Sequence, residues 1–383
     1  MNTTLKSIAS DRKSIFGALD VDDKNYHAAI YDFKNHKISL QFKCAPLVPV
    51  LVEKLKSHKV DLSRLRLCYE SSYVGFALYR ELTKYGISCD IIASSKIRSV
   101  PGNKVKTDKI DSCNLAKDYA KGDLTVIHIH DQENEYVRDL IRSRHLLVDQ
   151  SVMLKEHIIA LCKRCGLDFR KEKNSLNASY WTQVHTKWIE AKVNALSDDS
   201  PFKFNLQSLL SSLNNLTAQI ERYENKIEEI SHYEKYSKAC RALESFRGLN
   251  NLSCMTLISE IGDIKRFDHP KRLFAYTGFS ITEYSSGGHE KKYHITKTGN
   301  KFIRTTVVEA SQYAFKSVAV SKQLSKRRVE ALPECVNIAD RCMNRLHKKA
   351  LKMFHSGKHR NKIKVACARE LLGFIWEALN KVA

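Results

Sequence analysis

Glycine and proline are scarce in this chain, 14 and 6 residues of 383. That scarcity argues against long disordered linkers and for a helix-rich globular protein, long enough for two or three domains. Long apolar runs are missing too. Nothing approaches the length that crosses a bilayer, and the polar opening "MNTTLKSIASDRKS" predicts no signal peptide. Acid is in deficit, with 42 Asp and Glu against 64 Lys and Arg, a net charge of +22. Residues 241–383 carry +15 of that surplus and residues 1–240 carry +7. Such a balance points to a polyanion, and with no membrane segment the expected partner is nucleic acid in the cytoplasm. A second CxxC is absent beside Cys162 and Cys165, so no zinc ribbon is expected; the other cysteines, such as Cys68, Cys89 and Cys254, read as reduced, buried small hydrophobes.

What is present begins as alternating elements. "IFGALDV" (15–21), "HAAIYDF" (27–33) and "KISLQFK" (37–43) are short β-rich runs joined by tight polar turns. A helical stretch near 46–57, a strand "RLRLCYE" (64–70), a helix at 73–86, a strand "ISCDIIA" (87–93) and a helix in "KVKTDKIDSCNLAKDYAKGDL" (104–124) follow. Three hairpin strands and then α-β-α-β-α is the element order of an RNase H-like domain, expected over residues 1–130. A long helical middle, 131–238, comes next. There Leu206, Leu209, Leu213, Leu216, Ile220, Tyr223, Ile227 and Ile230 alternate by three and four over about four heptads. That spacing suits a coiled-coil dimer arm, an intramolecular helical hairpin or a helix packed on its own domain. The last region, 239–383, is mainly helical. It holds a Gly248-Leu249-Asn250 turn with the shape of a helix-hairpin-helix, a polar glycine-bearing loop "YSSGG", and a basic helical tail.

Four acids far apart in sequence fall at one place on the RNase H-like pattern. Asp20 lies on the first strand in "GALD", Glu70 ends the fourth in "CYE", and Asp108 and Asp111 open the helix that crosses both. Packed without a cation they would repel at a cost of several kcal/mol. Hard oxygen ligands suit Mg²⁺, and two such ions clamp both oxygens of a phosphodiester exchange. The alternative for Asp108 and Asp111 is a solvated first helical turn. Asp22 and Asp23 read as turn residues, either of which replaces Asp20 if the register is offset. ATP is disfavoured, because the hairpin after Asp20, "DVDDKN", has none of the glycine with which sugar-kinase and actin-type relatives hold phosphates.

"GALD", "CYESS", "KTDKID" and the downstream "YSSGG…ITKTGNKFIR" together resemble the DEDD transposases of insertion-sequence family one-hundred-ten, which includes the pilin-gene invertases. The likeness covers nearly the whole chain, with Ser112 in place of the family's alanine and Asn250 in place of its second glycine. It implies a RuvC-like N-terminal domain, a coiled-coil middle and a C-terminal transposase domain. It also implies that Asp20, Glu70, Asp108 and Asp111 hold Mg²⁺, two ions for which Mn²⁺ substitutes. The implied nucleophile is Ser286, with Ser285 as the alternative, attacking a DNA phosphate to leave a covalent phosphoserine. Lys106, Lys297, Asn300, Lys301 and Arg304 are expected to contact nucleic acid. The implied partners are double-stranded donor and target DNA, a noncoding bridge RNA and further copies of the chain, dimers pairing into a nucleoid-associated tetramer. Each active site would join one subunit's acids to another's serine. The competing readings are a metal-only RuvC-like nuclease or Holliday-junction resolvase, in which Ser286 is a loop residue, and a non-catalytic nucleic-acid-binding scaffold.

Overall fold

A computed structural model of the chain describes residues 15–33, 35–97, 108–286 and 289–383; the side chains of residues 108–109, 283–286 and 289–293 are outside that description. The chain divides into two units, Met1–His130 and Asp131–Ala383.

The first unit is built on a sheet of five strands, β1 (Ile15–Val21), β2 (Tyr26–Asp32), β3 (Lys37–Cys44), β4 (Leu65–Glu70) and β5 (Ser88–Ile92). Their order is β3-β2-β1-β4-β5. The first three strands pair antiparallel, whereas β4 lies parallel to both β1 and β5. A parallel neighbour needs a crossover, and helix α1 (Val48–Ser57) supplies it between β3 and β4. Helices α1 and α2 (Ala77–Lys84) bury Leu51, Leu55 and Leu82 against Leu19, Leu67 and Tyr69 on one face of the sheet. Helix α3 (Asp108–Lys121) buries Leu115, Ala116 and Tyr119 against Phe16, Ala18 and Cys68 on the other. Strand β1 is therefore covered on both sides, which is why "IFGALDV" is apolar almost throughout.

The second unit is helical apart from one two-stranded hairpin, β6 (Ile281–Ser286) with β7 (His289–Ile295). Helix α4 (Gln132–Arg164) is followed by a head containing a one-turn helix, Phe169–Glu172, and α5 (Gln183–Asn194). Helix α6 (Pro201–Ser231) then returns along α4. Val137 and Ile141 meet Ile227 and Ile230 at one end, while Ile158 and Leu161 meet Leu206 and Leu213 at the other. Between them Arg144 Nε donates to Glu224 Oε1 at 3.1 Å. The heptad-like stripe thus closes a hairpin within the chain, one of the three arrangements its spacing allows.

Helix α7 (Glu234–Glu244) leads into the Gly248-Leu249-Asn250 turn and α8 (Asn251–Ile261). Gly248 has φ 87°, and a Cβ there would lie 2.7 Å from the Ala310 carbonyl oxygen. Asn250 has φ −112° and needs no glycine; its Oδ1 accepts from Ser253 N at 3.0 Å and caps α8. Every residue from Cys254 to Ile261 is buried, so α8 is the axis of this body. Around it stand α9 (Pro270–Thr277), α10 (Lys301–Ser311) and the antiparallel pair α11 (Pro333–His355) and α12 (Arg360–Val382). Glu370 on α12 accepts from Arg345 (2.8 Å) and Lys349 (2.7 Å) on α11. Among the described residues no helix is long and apolar enough to cross a membrane. All eleven cysteines are free thiols, Cys162 buried and Cys165 exposed.

The head after α4 contains an unusual histidine. His185 is 2 % exposed, its Nδ1 accepts from Trp181 N at 3.0 Å, and the Phe169, Tyr180, Trp181 and Trp188 rings surround it. Burial pushes its pKa below the ordinary 6.5. The folded head therefore holds the neutral ring while the unfolded chain takes up a proton below that value, so stability is complete above it and falls with falling pH. Acid titration followed by tryptophan fluorescence is expected to show the head loosening below pH 6.5. His185→Gln is expected to flatten that portion of the curve; an unchanged curve would show that the histidine is not responsible.

Candidate active site

Strand β1 meets β4 in parallel register, Ala18 opposite Cys68 and Leu19 opposite Tyr69. Side chains alternate along a strand, so Asp20 shares the face of Phe16 and Ala18, and Glu70 shares the face of Cys68. That is the face covered by α3. The two acids thus stand at the same end of neighbouring strands, Asp20 half-buried and Glu70 exposed.

The direction of α3 brings further acids there. Tyr119, near its end, packs edge-on against Phe16 at the start of β1, with ring centroids 5.6 Å apart. Cys113 Sγ accepts from Gln41 Nε2 at 3.1 Å, and Gln41 is in register with Ala29, itself paired to Ala18. Helix and strand therefore run in opposite directions. Eight residues back along a helix is about 12 Å, and four residues along a strand is about 13 Å. Asp111 consequently comes level with Asp20. Ser112 is fully buried on the side of the helix that faces the sheet. Asp108 opens the same helix, three residues before Asp111 and close to the same face; its side chain is outside the described residues, as is the whole of Lys106. Among the described residues no three His, Cys, Asp or Glu side chains are close enough to hold a metal ion. The donor chemistry of the corner, carboxylate oxygens at a partly open strand end, is nevertheless of the kind that suits a hard divalent cation.

Other acids nearby have separate duties. Asp22 and Asp23 are exposed in the β1–β2 turn, where Asp22 N donates to Asn25 O at 3.1 Å. The Tyr73 hydroxyl is pushed up to about 12, first by its hydrogen bond to Asp23. Asp90, paired in register with Cys68, accepts from the Tyr119 hydroxyl at 2.6 Å. Burial, with Asp90 beside it, pushes Tyr119 far above its ordinary value and keeps that hydroxyl protonated. Sequence reasoning passed over Asp90, although an aspartate inside the apolar strand "ISCDIIA" was the available signal.

The serine segment is a β-hairpin and not the loop expected from its polar composition. Ser285 faces Glu290 in register, and Ser286 faces His289 next to the turn. Just beyond β7, Lys297 is exposed and has φ 55°. Lys301 is exposed, its Nζ 5.2 Å from the Phe302 ring centroid. Two residues expected to contact nucleic acid are engaged within the fold. Asn300 Oδ1 caps α10 by accepting from Ile303 N (3.1 Å), and its Nδ2 donates to Glu260 Oε2 (2.7 Å). Arg304 donates to the Thr277 carbonyl at 2.8 Å, and burial lowers its pKa.

Comparison with known proteins yields a consistent set of relatives. A transposase model of the DEDD IS110 type matches residues 18–166, and a model described as transposase IS116/IS110/IS902 family matches residues 240–326. A putative transposase, y4qE, of Sinorhizobium fredii is 27 % identical over 84 % of this chain and 77 % of its own length. The transposase for insertion sequence element IS1533 of Leptospira borgpetersenii is 27 % identical over 88 % of this chain and 96 % of its own. The transposase for IS1111A of Coxiella burnetii is 23 % identical over 69 % and 71 %. The first model spans the strands and helix that carry Asp20, Glu70 and Asp111, and the second spans α8 and the serine hairpin. Two separate parts of the chain thus match transposase models of the IS110 type, and over most of its length the chain is similar to DEDD transposases of insertion sequences.

Proposed function

We propose that this transposase cuts and rejoins DNA through a serine, with an RNase H-like, RuvC-type acid centre in its N-terminal unit. The observation that carries the reading is the parallel register of β1 and β4, which sets Asp20 beside Glu70 under α3. Asp20, Glu70, Asp108 and Asp111 are the ligands in this account, Mg²⁺ is the natural ion, and two ions bind, with Mn²⁺ able to substitute. A cation bound there supplies Lewis-acid stabilisation of the charge on the phosphoryl oxygens. The Ser286 hydroxyl attacks a DNA phosphorus, forming a serine–phosphate bond. The oxygen of one flanking strand departs as a hydroxyl with the proton, while the other flank stays on the protein. A second strand's hydroxyl then attacks the phosphoserine, restoring the serine and a phosphodiester. One phosphodiester replaces another, so the exchange needs no nucleotide cofactor.

A noncoding bridge RNA selects donor and target in this reading. Support comes from abundant positive charge on a chain whose sequence carries no zinc finger with which to read bases. Exposed Lys297 and Lys301 suit contact with phosphate backbone. Dimers pair into a tetramer on the nucleoid, each site joining the acids of one subunit to the serine of another.

Two measurements test this. Millimolar Mn²⁺ is expected to raise the melting temperature of the wild-type chain but not of Asp20→Asn or Asp111→Asn. Their metal affinity should fall by at least the roughly 10–100-fold that loss of an outer-shell partner costs; an undiminished shift would remove these acids from the site. A suicide duplex DNA substrate is expected to leave a protein–DNA adduct that Ser286→Ala abolishes. Cleavage by Ser286→Ala at the wild-type rate without any adduct would favour metal-only hydrolysis, and an adduct lost only in Ser285→Ala would move the nucleophile by one residue.

A further inference from the structure

The hairpin that presents Ser286 leaves the helical body at Ser280 and returns at Thr296, and its two ends are closed backbone to backbone. Thr296 N donates to Ser280 O at 2.9 Å, Lys297 N to Gly278 O at 3.1 Å, and Asn300 N to Tyr276 O at 3.1 Å. Gly278 (φ 76°) and Gly299 (φ 103°) make this approach possible. A Cβ on Gly278 would overlap the Thr298 carbonyl oxygen, and one on Gly299 the Tyr276 carbonyl oxygen.

This closed base is fastened to one buried carboxylate. Glu260, near the end of α8, is 0 % exposed. Arg142 from α4 grips it as a fork, Nε to Oε1 at 2.7 Å and the terminal nitrogen to Oε2 at 2.9 Å. Arg138 Nε, one turn earlier, lies 3.5 Å from Oε2. Asn300 Nδ2 donates to the same oxygen, and the Tyr276 hydroxyl donates to the Glu260 carbonyl at 3.1 Å. Burial alone would raise the Glu260 pKa; the Arg142 hydrogen bonds and both arginine charges outweigh it and hold the group ionised below the usual carboxylate value. A buried ion pair is an inefficient way to gain stability where α8 is otherwise packed in an apolar cluster. What it does supply is direction. The fork fixes both carboxylate oxygens, and one of them fixes Asn300.

We infer that Glu260 is a positioning residue which, through Asn300, sets the angle at which the β6–β7 hairpin presents its serine. The inference rests on the reading of Ser286 as nucleophile, and its test separates the two. Asn300→Ser keeps a capping oxygen for α10 but is too short to reach Glu260. Asn300→Asp keeps the cap and sets two carboxylates against each other. Adding Glu260→Gln to Asn300→Asp restores that hydrogen bond with donor and acceptor exchanged, while the arm of the Arg142 fork on the same atom is lost.

Hydrogen exchange of residues 281–295, melting temperature, affinity for a duplex DNA and the rate of adduct formation are measured on each full-length variant. Asn300→Asp is expected to speed exchange in 281–295 by about tenfold relative to α10, with DNA affinity within about twofold. The adduct rate should fall by about tenfold or more, as misplaced reacting groups require. The double variant keeps the Arg142 bond to the remaining oxygen and should recover part of both, measurably above Asn300→Asp. Unchanged exchange in 281–295, or faster exchange with an undiminished adduct rate, would overturn the inference, as would a folded double variant no better than Asn300→Asp. An adduct that survives Ser286→Ala would instead defeat the nucleophile reading, and the exchange data would still judge the Glu260–Asn300 link.

Discussion

The pairing of β1 with β4 is the constraint from which the N-terminal unit follows. Only a parallel neighbour delivers two strand ends, and hence Asp20 and Glu70, to the same edge of the sheet; an antiparallel partner would bring a strand start there instead. Parallel pairing in turn requires the crossover through α1, and burial of β1 on both faces requires α3 to cover the second one. That helix packs with Tyr119 over Phe16, so its opening turn reaches the acidic edge. Sheet order and helix direction together put Asp20, Glu70 and the start of α3 at the same end of the sheet.

The second unit works by a different economy of charge. Its surface is strongly basic, yet at its centre a single carboxylate, Glu260, faces two arginines of α4 and orders the loop that precedes α10. Other cations of this unit, among them Arg144, Lys203, Arg266 and Arg328, are also drawn into the fold, each on a carboxylate or a backbone carbonyl. The Glu260 carboxylate differs in joining three elements, the arginines of α4, its own helix α8 and Asn300 at the start of α10. The serine hairpin is the element whose base it holds.

Much of this was legible in the residues. Short β-branched runs, a strand apolar almost throughout and helices with apolar stripes place the sheet and its covering helices, because burial on a known face leaves a period in the sequence. The stripe from Leu206 to Ile230 was ambiguous for a physical reason. A hairpin within one chain and a coiled coil between two bury the same faces. The segment around "ITEYSSGGHEKKYHI" carries too little apolar alternation to announce a hairpin. Asn300 and Arg304 illustrate a deeper limit. A polar residue at a helix start has the same appearance whether it caps the helix, supports a buried acid or touches a phosphate, and only the partner distinguishes them. Glu260 was invisible for that reason as well, since in "LISEIGD" it reads as one more helical glutamate.

The claim that scattered carboxylates of the N-terminal unit share a divalent cation is tested most directly by anomalous diffraction. Crystals of the full-length chain grown with Mn²⁺ are predicted to show anomalous density bonded to Asp20, Glu70 and Asp111, with Asp108 completing the set. Manganese density only elsewhere, with those four side chains ordered and apart, would contradict the account.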